Sequence, residues 1–126
     1  MKKVFLVLIL LLASVPASAD ELIETYVARL GANDHFNSKG ERLTSPALII
    51  RQDRANFYKF GRGNEEDEDD MFFRDVKNRE LLQKFLERGN TNPGAYRAIV
   101  NGQPLVRVNV YRSKSGDYAN VLILSE

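Results

Sequence analysis

One carboxylate occupies a position where helical periodicity calls for an apolar residue. Between Pro46 and Phe60 the residues Ile49, Ile50, Phe57 and Phe60 recur at helical spacing, and Asp53 falls at the centre of their stripe. Burying an ionised carboxylate alone is costly. Asp53 must therefore meet a cation or several N–H donors, or keep a proton through a raised pKa. A salt bridge to Arg29, Arg74 or Arg97, or a cap on a neighbouring loop, would make it structural. The chemical alternative makes it an acid, a base or a ligand anchor. The chain's one histidine, His35, follows Asp34 just after a first apolar segment. Neighbouring side chains on an extended segment point apart, so Asp34 and His35 are no dyad by themselves. If their loop folds over the helix, His35 meets Asp53 and either Arg51 or Arg54 holds an anion. That constellation would be a small hydrolase or lyase site.

Six acids stand together from Glu65 to Asp70. Asp67, Asp69 and Asp70 are the carboxylates to consider for a hard cation such as Ca²⁺, but the run lacks the alternating oxygens and mid-loop glycine of a calcium loop. A solvated charge run that screens nearby basic residues is the expectation.

The segment Ser115-Gly116-Asp117-Tyr118 is a turn signal between two strand-like runs. It resembles the short S-G-x-Y loop that some periplasmic lysozyme inhibitors push into their target's active cleft. The resemblance implies that Ser115 and Tyr118 are the inserted contacts. In the preceding run, Arg107, Asn109 and Tyr111 alternate with Val106, Val108 and Val110, so an exposed sheet face carrying Arg107 and Tyr111 would suit a protein or glycan partner.

Other chemistries are excluded by residue type. The chain has no cysteine, which removes thiol nucleophiles, thiolate metal sites and disulfides. A single histidine rules out a multi-histidine zinc site, and neither a G-x-S-x-G elbow nor a glycine-rich phosphate loop is present. A carboxylate-pair hydrolase stays open. No cofactor is expected.

These residues need elements to position them. A strand is predicted over Leu22–Leu30, followed by a loop or short hairpin from Asn33 to Arg42. A first helix is predicted from Pro46 to about Phe60 and a second from Val76 to Arg88, with Leu81, Leu82, Phe85 and Leu86 inward. A third is framed by Asn92, Pro93 and Gly102. A hairpin then closes the chain, with a turn at Ser113–Asp117 and a partner strand over Tyr118–Leu124. The fold class is α+β: a small antiparallel or mixed sheet of about three strands, packed by about three helices.

The first residues have the order of an export signal. Lys2 and Lys3 precede an apolar run from Val4 to Ala13, and Ala17-Ser18-Ala19 offers a small-residue exit after Pro16. Cleavage after Ala19 is expected to leave a single domain over residues 20–126, periplasmic or secreted and without a stable membrane anchor. Residues 1–19 carry two lysines and no acid, so the remaining 107 residues hold 16 basic and 17 acidic side chains. That balance gives no electrostatic reason to expect nucleic acid as a partner. The function expected is non-enzymatic binding of a protein or envelope polymer, with the Asp53–His35 site as the enzymatic rival.

Overall fold

The computed structural model describes residues 19–126, so all but the last residue of the predicted export signal lies outside the described residues. Three strands, β1 (Glu21–Arg29), β2 (Leu105–Ser113) and β3 (Gly116–Ser125), form one antiparallel sheet in the order β1-β2-β3. The predicted α+β architecture and the pairing of the first strand with the closing hairpin are both present. Strand alternation gives the sheet two different faces. Tyr26, Ala28, Val106, Val108, Val110, Ala119 and Val121 are buried on one. The other carries cross-strand rows: Leu22, Tyr111 and Tyr118, then Thr25, Asn109 and Asn120, then Val27, Arg107 and Leu122.

The helices cover the buried face. They are α1 (Pro46–Tyr58), α2 (Val76–Glu80), α3 (Leu82–Arg88) and α4 (Pro93–Asn101). Ile49, Ile50, Leu82, Phe85, Leu86 and Ile99 meet the sheet, together with Phe73 from the loop before α2. Four helices replace the predicted three because the second is broken at Leu81. There the Leu81 N–H bonds to the Asn78 carbonyl, a tighter step than an α-helix makes, and Leu81 is left exposed. Phe60 also departs from expectation. α1 ends at Tyr58, before the periodic stripe does, and Phe60 is exposed. Between β1 and α1, a 3-10 turn (Ala32–His35) leads into a small hairpin closed by a Phe36–Arg42 bridge, within the predicted loop.

Both free edges of the sheet are covered by side chains that imitate a further strand. Along β1, the Val27 N–H donates to Glu68 Oε1 at 2.7 Å while the Glu68 N–H donates to the Val27 carbonyl, and the Arg29 N–H donates to Asp67 Oδ1 at 2.8 Å. Along β3, the Val121 N–H donates to Thr91 Oγ1, and the Asn90 N–H to Asn120 Oδ1. These bonds occupy the β1 edge at Val27 and Arg29 and the β3 edge at Val121.

Candidate functional site

The inner face of α1 holds a buried cluster of charge. Asp53 and Arg54 are both fully enclosed, with Arg54 Nε donating to Asp53 Oδ2 at 2.8 Å. The cation expected for Asp53 is thus its own neighbour, not Arg29, Arg74 or Arg97. Arg29 is instead held by both oxygens of Glu66, and Arg74 by Asp69. Arg54 Nη1 reaches Asp70 Oδ1 at 3.0 Å and the Glu68 carbonyl at 2.9 Å. The guanidinium lies 4.1 Å from the ring centre of Tyr26 and 4.7 Å from that of Phe57. With no exposed surface, Arg54 cannot hold an external anion as the sequence allowed.

Asp34 lies on the other side of Asp53. It accepts from Asn56 Nδ2 at 2.8 Å and from the Gly31 N–H at 2.9 Å. Burial raises the pKa of both Asp34 and Asp53, that of Asp53 well above the ordinary carboxylate value despite Arg54. Asp53 Oδ1 meets no donor as an ionised oxygen. A proton held on Asp53 would remove the repulsion between the two buried carboxylates.

His35 takes no part in this cluster. Its Nδ1 lies 2.8 Å from the Gly31 carbonyl and its Nε2 2.8 Å from the Ile99 carbonyl, so the ring braces the 3-10 turn against α4. Both nitrogens face backbone carbonyls, and no hydrogen bond joins His35 to Asp53. The predicted acid–base pair is corrected accordingly: His35 is a structural crossbrace, and Asp53 meets Asp34 and Arg54.

The acidic run is likewise engaged with protein. Asp67 and Glu68 line the β1 edge. Asp69 accepts from Arg74 and from the Tyr58 hydroxyl. Asp70 is buried and accepts from Arg54, Tyr58 and the Phe73 N–H. Glu65, Glu66, Glu68 and Asp69 are exposed, as expected of a solvated run, and Glu66 and Asp69 also pair with the basic neighbours Arg29 and Arg74. Among the described residues no group of three or more potential ligands is placed to hold a metal ion, and Asp67, Asp69 and Asp70 each serve other partners.

The hairpin is organised differently. A two-residue loop, Lys114-Ser115, joins the paired residues Ser113 and Gly116. Gly116 has φ +121°, a conformation other residues rarely adopt, and a side chain there would strike the Arg88 guanidinium. Ser113 Oγ donates to the Gly116 carbonyl at 2.7 Å, and Arg88 Nη1 reaches the Asp117 carbonyl. The turn is therefore held in shape while Lys114 and Ser115 stay exposed. Tyr111 and Tyr118 stack with ring centres 5.1 Å apart, and the Tyr118 hydroxyl donates to Asp20 at 2.7 Å. Beside them opens a cleft of about 730 Å³, walled by Asp20, Arg88, Asn90, Lys114, Ser115 and Tyr118.

Three of the residues expected to bind, Tyr111, Ser115 and Tyr118, are thus brought together. Arg107 is not. It is exposed on the same sheet face but lies four residues from Tyr111 along β2, about 13 Å at strand spacing. Arg51 is exposed on the far side of α1. Asp20, Arg88 and Asn90 had no periodic or motif signal to mark them, since they reach the cleft from the residue before β1, the last residue of α3 and the α3–α4 connection. No protein-family model, curated protein or solved structure matches the chain.

Proposed function

We propose that this chain is an exported, non-enzymatic binding module that takes a protein or an envelope polymer at the β2–β3 turn and its adjoining cleft. The observation that carries this reading is the pre-formed turn. Its backbone is fixed by Ser113 and Arg88, while Lys114, Ser115 and the edge of Tyr118 face a polar cleft. A recognition loop that is ordered before binding loses little conformational freedom on association. The aromatic pair adds flat apolar surface next to amide and charged groups, the mixture that fixes orientation in binding sites. The similarity of Ser115–Tyr118 to the inhibitor loop suggests one kind of partner, a cell-wall hydrolase whose own cleft admits Ser115.

The export pattern supports a periplasmic or secreted location. Cleavage after Ala19 would place the new amino terminus at Asp20, on the wall of this cleft. Mass determination of the exported protein tests that step.

The binding reading is tested by immobilising the chain from Asp20 onward and presenting solubilised envelope proteins, cell-wall fragments and a lysozyme. A specific partner is expected, and Lys114→Glu or Ser115→Arg should abolish its retention while the circular dichroism stays native. Retention that survives both changes, or no retention from any of the three sources, refutes the reading.

A further inference from the structure

A second cavity, independent of the hairpin, lies on the outer side of α1. It encloses about 380 Å³ between α1, the loop after the 3-10 turn and the start of α2, within the size range of small-ligand pockets. Arg51, Lys59 and Arg79 all line it, and no carboxylate does. None of the three forms an ion pair among the described residues, whereas Arg29, Arg54, Arg74 and Arg112 each have a carboxylate partner.

Arg79 makes the strongest case. It is only 7% exposed, yet its protein partners are backbone carbonyls: Nη1 donates to those of Phe73 at 2.8 Å and Arg74 at 3.0 Å. A guanidinium taken out of water normally has a carboxylate to offset its desolvation. Here the carbonyls fix its position, and no carboxylate forms an ion pair with it among the described residues. Lys59 and Arg79 also line the adjoining cavity beside Tyr58, so they form a wall common to both. Apolar groups face the same space. Leu48, Phe60 and Val76 line the cavity and are 39%, 42% and 52% exposed.

We propose that this cavity binds a small anionic amphiphile, with a phosphate or carboxylate head on Arg51, Lys59 and Arg79 and a short apolar chain against Leu48, Phe60 and Val76. Three cations around a cavity whose own lining holds no carboxylate attract an anion and raise its local concentration, and Asp69, which lines the adjoining cavity, is already paired with Arg74. Charge-assisted bonds to a fixed guanidinium hold the head. Phe60, exposed beyond the end of α1, supplies apolar surface that the core does not use.

Calorimetric titration of the chain from Asp20 onward tests the site, with octyl phosphate and octanoate below their micelle concentrations. Octanol, inorganic phosphate and octyltrimethylammonium serve as controls. One octyl phosphate or octanoate should bind per chain, at least about tenfold tighter than any control, because each charge-assisted bond contributes roughly a factor of ten or more. Arg51→Glu and Lys59→Glu change exposed residues and should each weaken binding about tenfold with the melting temperature unchanged. Lys84→Glu, outside the cavity, should leave binding as it was. Vesicles with and without phosphatidylglycerol distinguish a monomeric ligand from a lipid surface. Equal affinity for octyl phosphate and octanol, unchanged affinity in both charge-reversed variants, or binding to anionic vesicles alone would each overturn the proposal.

Discussion

The buried cluster beneath α1 and the cleft at the hairpin treat polar groups in opposite ways. In the cluster, Asp34, Asp53, Arg54 and Asp70 are enclosed, with Arg54 bridging Asp53 and Asp70 and Asn56 donating to Asp34. At the hairpin, the backbone is satisfied internally while Lys114, Ser115 and Tyr118 keep a face toward open volume. Unusual residue placement therefore marks the part of this molecule that holds itself together. Ordinary turn residues mark the part able to meet something else. Perturbed carboxylates often signal catalysis, but Asp34 and Asp53 are buried and line none of the cavities described above.

The sharpest way to break that contrast is to remove the cation from the cluster. Arg54→Met strands Asp53 and Asp70 in the interior and should cost about 3–5 kcal/mol in urea unfolding. A loss under 1 kcal/mol, an order-of-magnitude bound, would mean that the cluster is not structural. The pH dependence comes next in size. Because the folded pKa values of Asp34 and Asp53 are raised, the folded state keeps a proton that the unfolded chain releases near the ordinary carboxylate value of about 4. The stability this proton contributes is full below that pH and is lost as pH rises toward the folded value. Asp53→Asn, which removes one of the two titrating groups, should flatten the fall in melting temperature on the alkaline side.

Glu68→Ala removes the acceptor for the Val27 N–H and should cost about 1 kcal/mol, with faster hydrogen exchange at Val27. The smallest effect belongs to the surface. Arg51→Met should change stability by less than about 0.5 kcal/mol, since Arg51 has no internal partner.

Much of the fold could be read from the sequence because its signals are local. Alternating valines mark β2, Asn92-Pro93 starts α4 with the Asn92 side chain accepting from the Gly94 N–H, and Gly89 ends α3. The burial of Asp53 could be read for the same reason. Its partner was missed although Arg54 stands four residues after Ile50 and three before Phe57, positions that share a helix face. Arg79 carried a similar mark, three residues before Leu82 and seven before Leu86. A cation on an apolar stripe signals a buried charge as a carboxylate there does. The break at Leu81 falls beside Asn78 and Arg79, whose side chains reach back to the carbonyls of Phe72, Phe73 and Arg74, contacts that helical periodicity does not encode. The binding of acidic side chains to the β1 edge is equally non-local, joining residues about forty positions apart.

The most direct test of the contrast compares one substitution from each region in a single partner-capture measurement on folded protein. Asp53→Asn keeps an acceptor for Arg54 and should capture the envelope partner as the native chain does. Ser115→Arg should remain folded and capture nothing. The opposite outcome, with Ser115→Arg capturing normally and folded Asp53→Asn inactive, would move function from the hairpin to the buried carboxylates and contradict the account.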